Sequence, residues 1–282
     1  MLTAEERNML IRRATQIRRD VIEMTYHAQS GHPGGSCSIA DVMAYLYFHR
    51  MRYDVKDPKS QKRDRLVLSK GHAAPAWYAA LAEAGFFPRE EMLHLREIGH
   101  LLQGHPCVHI PGVDATTGSL GFGLSIGVGM AVGAKMAGGE VKVHVIVGDG
   151  EQGEGQIWEA AMAAPNLHLD NLTVILDRNR YQNDGATEEI MPLEPLADKW
   201  RAFKWNVVEI DGHDFEQIAA ALDKAKTVKG KPTAILAKTV KGKGVSFMED
   251  QVGWHGVAPN KEQYEQATAE LQAQIDRLEG KC

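Results

Sequence analysis

The chain has 282 residues, of which 44% are hydrophobic and 24% are charged. This is enough apolar material to bury a sizeable core as one large α/β domain. The formal net charge of −5 gives no reason to expect nucleic-acid binding. Cys37, Cys107 and Cys282 are far apart and form no CxxC pair, so they indicate neither a disulfide framework nor a zinc site. With a charged N-terminus unlike a signal peptide, these features favour a cytoplasmic protein.

The N-terminal part, residues 1–64, is predicted to be helical. A capping box and apolar residues at spacings of three and four predict an amphipathic helix over residues 4–28. The run Ser-Gly-His-Pro-Gly-Gly at residues 30–35 cannot continue this helix and is predicted to form a loop. A second helix is predicted from about residue 39 to residue 51.

Strands alternate with helices along the rest of the chain. Strands are predicted at residues 65–69, 141–147, 171–177, 205–211 and 232–239. Helices are predicted at residues 73–85, 118–137, 155–164, 214–226 and 260–282. The β-branched run that forms the second strand is typical of a parallel strand buried on both faces. The alternation predicts a single α/β domain spanning 1–282, with a doubly wound, mostly parallel sheet and helices on both faces.

The segment at residues 118–137 is almost uncharged and rich in glycine. Glycines at helical spacing also occur in membrane spans. Large apolar residues are few here, which argues against a span. We therefore predict a buried helix whose small face approaches another backbone closely, and no association with a membrane.

Polar residues stand where two neighbouring strands of the predicted sheet end. Gly148-Asp149-Gly150 closes one strand, and Asn179 follows the next, with 28 residues between Gly150 and Asn179. One helical crossover of this length would place Asp149 and Asn179 side by side at the carboxyl edge of the sheet, where ligands bind in such folds. Carboxylate and amide oxygens suit Mg²⁺ or Ca²⁺, and a glycine after Asp149 lets backbone N–H groups approach a phosphate. The alternative, a simple turn after a strand, is weakened by the downstream asparagine.

The GDG run with its downstream asparagine resembles the thiamine-diphosphate motif. Five further segments resemble the loops of transketolases and occur in the order of that family, from about residue 5 to residue 260. They are SGHPGG at 30–35, LSKGH at 68–72, GHP at 104–106, PGVDATTGSLG at 111–121 and WHG at 254–256. Each segment is a weak signal, but the set is specific. The resemblance implies the thiamine-diphosphate-binding fold.

The resemblance also implies a role for each matching residue. The metal would be held by Asp149, the Asn179 side chain and the Tyr181 backbone carbonyl. The diphosphate would be contacted by Gly150, His72 and His255. The aminopyrimidine pocket would be lined by Gly118 and Leu120. The substrate would face His32, His105 and His255. Glu154 would also be one of the cofactor-binding residues, and it would lie at a subunit interface, near a catalytic glutamate of a partner.

The activity implied is transfer of a two-carbon ketol unit from a ketose phosphate to an aldose phosphate, with thiamine diphosphate and Mg²⁺ (or Ca²⁺), as in the pentose phosphate pathway. Full-length transketolases carry the catalytic glutamate on a second domain that has no counterpart before Cys282. The chain is therefore expected to be a natural N-terminal subunit or a fragment, and its tail, residues 279–282, favours the former. The expected partner is a C-terminal subunit with the pyrimidine-binding domain, in a heterotetramer with two copies of each chain.

Three other interpretations remain open. The chain could be part of a deoxyxylulose-phosphate synthase-like or 2-oxoacid dehydrogenase-like enzyme, although the GHPGG and SKGHA loops argue against both. It could also be a non-catalytic cofactor-binding subunit.

A metal site formed by His94, His100 and His105 is not supported by the sequence, because it contains no closely spaced pair of ligands. Three lysines late in the chain are interpreted as a solvated basic loop rather than a phosphate clamp; they are Lys238, Lys241 and Lys243.

Overall fold

A computed structural model describes residues 1–281, so Cys282, the last residue of the helix predicted at 260–282, lies outside the described residues. Helix α1 (Ala4–Ala28) begins at the predicted capping box. The glycine-rich loop that follows contains a short helix, α2 (Pro33–Cys37), which the sequence did not predict. Its first residue is a proline. Proline is tolerated in the first turn because the N–H groups there make no hydrogen bond within the helix, so the missing N–H of proline costs nothing. Helix α3 (Ala40–Tyr45) continues as a π-helical turn over Leu46–Arg50.

The sheet has five strands, all pairing in parallel in the order β1-β2-β3-β5-β4. They are β1 (Arg65–Leu68), β2 (Val143–Gly148), β3 (Leu172–Arg178), β4 (Asn206–Asp211) and β5 (Thr233–Lys238). Every predicted strand is present. The parallel sheet expected from the alternation of strands and helices is confirmed.

Helices cover both faces of the sheet, as predicted. The remaining ones are α4 (Ala74–Ala84), α5 (Phe122–Met136), α6 (Gly155–Asn166), α7 (Thr187–Ile190), α8 (Leu196–Ala202), α9 (Phe215–Thr227) and α10 (Lys261–Leu278). Val143, Val145 and Val147 of β2 pack with α5, α6 and α8. Ile146 packs on the opposite face with α1, α3, α4 and α9. Among the described residues, no helix has both the length and the apolar character to cross a membrane.

Helix α5 departs from its prediction in length and burial. It begins at Phe122 rather than residue 118, after Gly118 and Gly121, which both have positive φ angles. One face approaches the sheet closely, since a Cβ on Gly123 would lie 2.5 Å from the Cα of Ser69. The other face is open and leaves Phe122 exposed. The helix is therefore half-buried rather than buried.

Candidate active site

A cavity of about 430 Å³ opens at the carboxyl ends of β1, β2 and β3. Its volume is within the range of small-molecule sites. All of the residues predicted to form the site, except Glu154, line it: His32, His72, His105, Gly118, Leu120, Asp149, Gly150, Asn179, Tyr181 and His255. The loops predicted from widely separated segments of the sequence therefore meet in one place.

Asp149 and Asn179 lie at the ends of adjacent strands. Strands β2 and β3 pair in parallel up to Gly148 and Asp177, so the chain leaves both strands at the same edge of the sheet. The Oδ1 atom of Asp149 accepts a hydrogen bond from the N–H of Gly150 at 2.9 Å. Its Oδ2 atom accepts one from the N–H of Arg180 at 2.5 Å. Both side chains face the cavity.

The residues at these strand ends are suited to a divalent cation. Asn179 donates from Nδ2 to Asp177 at 2.7 Å, and its Oδ1 atom accepts from the N–H of Tyr181 at 3.0 Å, which fixes the orientation of the amide. Burial, and then the neighbouring Asp177, raise the pKa of Asp149 to about 7. A cation would favour the ionised form of this carboxyl. Together with the Tyr181 carbonyl, these groups offer the oxygen ligands that Mg²⁺ and Ca²⁺ prefer.

Lys70 neutralises the second buried carboxylate of the site, a role that the sequence did not reveal. Its Nζ atom donates to Asp177 at 2.6 Å and to the Gly35 carbonyl at 2.7 Å. Asp177 also accepts from Ser38 at 2.8 Å. Burial acts to raise the pKa of Asp177, but the Lys70 ammonium and the hydrogen bonds hold it below its usual value. Lys70 thus ties the end of β1 to the end of β3 and to the glycine-rich loop.

Glu151 has a similar structural role at the other side of the cavity. Its carboxylate accepts hydrogen bonds from the Ser69 hydroxyl at 2.5 Å, the Gly121 N–H at 2.7 Å and the Gly148 N–H at 3.0 Å. The side chain is buried, and burial raises its pKa. Glu151 therefore joins the ends of β1 and β2 to the loop that enters α5. The available signal was an acidic residue directly after the GDG run.

Three histidines from distant segments cluster in the cavity. The ring centroids of His32, His72 and His255 lie 5.0, 5.2 and 5.4 Å apart. Burial lowers the pKa of His32 and of His255 to about 4. Burial, and then the Lys70 ammonium, hold the pKa of His72 well below its usual value. Near pH 7 these rings are neutral, so each has one N–H donor and one acceptor nitrogen.

His105 reaches the cavity from a fourth loop and lies against Gly118. A Cβ on Gly118 would come within 3.0 Å of the His105 ring, and its φ of +148° is in a region that other residues rarely adopt. Burial, and then the charge of Arg96, lower the pKa of His105. The glycine therefore allows this histidine ring to lie beside the backbone of the loop.

The prediction for the lysine-rich segment is wrong at one position. Lys238 is exposed, but Lys241 is only 1% exposed and lines the cavity. Its Nζ atom lies 3.2 Å from Nδ1 of His255. The N–H of Gly242 donates to the carbonyl of Gly34 at 3.0 Å, which turns this segment inward onto the glycine-rich loop. Burial lowers the pKa of Lys241 to about 8, so its ammonium is available to an anionic ligand near pH 7.

Glu154 is the predicted site residue that does not line the cavity. It is exposed at the start of α6, and its Cβ would lie 2.9 Å from a Cβ placed on Gly121. Its position beside the loop that enters α5 leaves it accessible to another chain. The interface role that the resemblance implies stays a prediction.

Comparison with known proteins identifies the family. The family model described as transketolase, thiamine diphosphate binding domain, matches residues 11–276. An apulose-4-phosphate transketolase subunit from Phocaeicola vulgatus is 47% identical over 93% of this chain and 93% of its own length. The 6-deoxy-6-sulfo-D-fructose transketolase subunit SqwG of a Clostridium species is 47% identical over 95% of this chain and 98% of its own length. The crystal structure of transketolase from Campylobacter jejuni superposes with a TM-score of 0.89 at 31% identity, covering 98% of this chain but 46% of that one.

Proposed function

The chain belongs to the transketolase family and carries its thiamine-diphosphate-binding domain, and we propose that it is the cofactor-binding subunit of a two-part transketolase. The observation that carries the proposal is the convergence, in one cavity, of the strand-end carboxylate and amide with four histidines from four separate loops. The proposed domain spans residues 1–282 as a single unit. The proposed reaction moves a two-carbon ketol unit from a ketose phosphate to an aldose phosphate.

The proposed cofactor site has a metal end and a ring end. Asp149, the Asn179 side chain and the Tyr181 carbonyl would hold Mg²⁺ or Ca²⁺. The diphosphate would bind the Gly150 backbone, His72 and His255. Lys241 adds a buried cation whose Nζ atom lies 3.2 Å from Nδ1 of His255, which supports binding of an anion at this end. The aminopyrimidine ring would lie against Gly118 and Leu120. When bound, thiamine diphosphate supplies the nucleophilic carbon that the protein itself lacks.

His32, His105 and His255 would handle the protons and hydroxyls of the sugar. Burial keeps their rings neutral near pH 7, so each can donate a hydrogen bond from one nitrogen and accept a proton at the other. A donor beside an oxygen that gains negative charge stabilises the transition state. The three rings come from three different loops, so together they can contact several positions along one sugar.

A partner chain would complete the enzyme. The two relatives of about 47% identity are themselves named as transketolase subunits and are matched over nearly their whole length. We propose a C-terminal partner with a pyrimidine-binding domain, in a heterotetramer with two copies of each chain and with Glu154 at the interface. A cytoplasmic location and a place in pentose phosphate metabolism belong to the same proposal.

The identity of the sugar is tested by reconstitution. The chain is assayed with and without the partner, using xylulose 5-phosphate, apulose 4-phosphate and 6-deoxy-6-sulfofructose as donors, because the last two are named for its relatives. Pyruvate serves as the control for a different thiamine enzyme. We expect ketol transfer only in the mixture. Transfer by the chain alone would contradict the two-part enzyme, and turnover of pyruvate but of no ketose would contradict the reaction.

A further inference from the structure

A cluster of two histidines and a glutamate lies on the surface, outside the cavity. His94 ends a 3₁₀ turn, and Glu97 and His100 follow in the loop that leads to His105. His94 Nδ1 lies 2.8 Å from Glu97 Oε2, and His100 Nε2 lies 3.6 Å from the same oxygen. The two histidine rings stack with centroids 4.0 Å apart. We propose that these three side chains form a binding site for Zn²⁺ or a similar first-row transition-metal ion.

The distances fit a tetrahedral ion. With metal–ligand bonds of about 2.0–2.1 Å, neighbouring ligand atoms in a tetrahedral zinc site lie about 3.3 Å apart. The observed 2.8 and 3.6 Å lie on either side of this value, and the ligand atoms of His94, Glu97 and His100 all fall within 4.8 Å of one another. Because an ion lies in the plane of each imidazole that binds it, the two stacked rings must also rotate out of their parallel arrangement to bind one ion. Two imidazoles and one carboxylate suit zinc rather than magnesium, which separates this site from the strand ends in the cavity.

Hydrogen bonds order the loop that carries Glu97 and His100 before any ion binds. The N–H of Arg96 donates to the Leu102 carbonyl at 2.8 Å and closes the loop. The Gln103 side-chain amide donates to the carbonyls of Glu97 at 2.9 Å and His100 at 3.0 Å. These bonds fix the turn between the second and third ligands. The ligands are therefore carried by an ordered loop, which lowers the entropic cost of binding a metal.

The same loop connects the proposed ion to the cavity. Arg96 lies between His94 and Glu97 in sequence and donates to the Ser30 hydroxyl at 2.8 Å, in the segment that leads to His32. The other end of the loop carries His105 into the cavity. An ion at the surface would restrain both the Arg96–Ser30 hydrogen bond and the end of the loop that carries His105, without contacting the cavity itself. We expect it to stabilise the loop that places His105.

Metal titration of the full chain tests the proposal without any activity measurement, so it is independent of the proposed function. After treatment with EDTA, the wild type should bind one equivalent of Zn²⁺ more than the double variant His94→Ala/His100→Ala. With Co²⁺ as the probe, the visible absorption of the wild type should exceed that of the double variant by the contribution of one tetrahedral site. The matched control is His27→Ala, which removes an exposed histidine of α1 and should behave as the wild type does.

Histidines in the cavity could also bind the probe, but they are common to all three proteins and cancel in the comparison. Hydrogen exchange over residues 94–103 should slow on addition of Zn²⁺ in the wild type and in the control only. Equal uptake of Zn²⁺ by the wild type and the double variant, with identical Co²⁺ spectra, would overturn the proposal.

Discussion

His144 makes the stability of the fold depend on pH at a position far from the proposed chemistry. It lies inside β2 and is only 2% exposed. Within residues 1–281, no hydrogen-bond partner reaches its Nδ1 atom. Burial lowers the pKa of this ring to about 4, although the nearby Asp64 carboxylate acts in the opposite direction. We predict that His144→Leu makes the protein less sensitive to acid.

The size of the effect follows from linkage. An unfolded histidine has a pKa of about 6.5, so below this pH the unfolded chain binds a proton that the folded chain, with a pKa of about 4, does not. Because the unfolded state binds more protons, stability falls as the pH falls. The stability that the protein owes to the neutral His144 ring is fully present above about pH 6.5 and is lost progressively towards pH 4. Between pH 7.5 and pH 5 the loss from this residue is about 2 kcal/mol.

Urea unfolding at pH 7.5 and pH 5 measures the difference. The wild type should lose about 2 kcal/mol more than His144→Leu over this interval. Other buried histidines, such as His32 and His255, are present in both proteins, so their effects on the unfolding free energy cancel when the wild type is compared with His144→Leu. His27→Leu, at an exposed position of α1, should follow the wild type. If the wild type and His144→Leu lose stability in parallel, the ring is not held neutral by burial and the reasoning is wrong.

Three further changes test the framework of the site. Lys70→Met leaves Asp177 buried without its counter-charge and should cost about 3–5 kcal/mol in urea unfolding, whereas Lys70→Met/Asp177→Asn should recover most of this; a double variant as unstable as the single one would contradict the pairing. Gly118→Ala should strain the backbone by about 1–3 kcal/mol and displace His105, lowering the kcat of the reconstituted enzyme; unchanged turnover would argue against the contact. Glu151→Gln should lower the unfolding free energy by about 1–3 kcal/mol through weakened hydrogen bonds, and an unchanged value would show that its three donors are satisfied otherwise.

The sheet and the strand-end pair could be predicted from the sequence because both depend on local patterns. Continuous apolar runs identify buried parallel strands, and parallel strands must end at a common edge. This is why Asp149 and Asn179 could be placed together from their spacing alone. The histidines of the cavity could be collected only through the resemblance, since nothing local indicates that residues as distant as His32 and His255 converge.

The burial of Lys241 and the length of α5 were not predictable in the same way. Lys241 is buried because its turn is bonded to Gly34, a contact between segments some two hundred positions apart in the chain, so its neighbours in sequence suggest only a basic loop. For α5 the signal was present, because Gly118 and Gly121 adopt positive φ angles that a helix cannot contain. The almost uncharged composition of the segment favours a helix that begins earlier. In the same way, the proline in the glycine-rich loop indicates a break in the helix, although proline also begins helices.

The central claim is that Asp149 and Asn179 hold a divalent cation that anchors a diphosphate. Thiamine diphosphate affinity, measured by calorimetry on the assembled enzyme with Mg²⁺ or with EDTA, tests it most directly. Asp149→Asn preserves the shape of the side chain and removes its charge. We predict that the wild type binds the cofactor only with Mg²⁺, and that Asp149→Asn binds it at least about tenfold more weakly. Equal affinity in the two proteins, or wild-type binding unaffected by EDTA, would contradict the account.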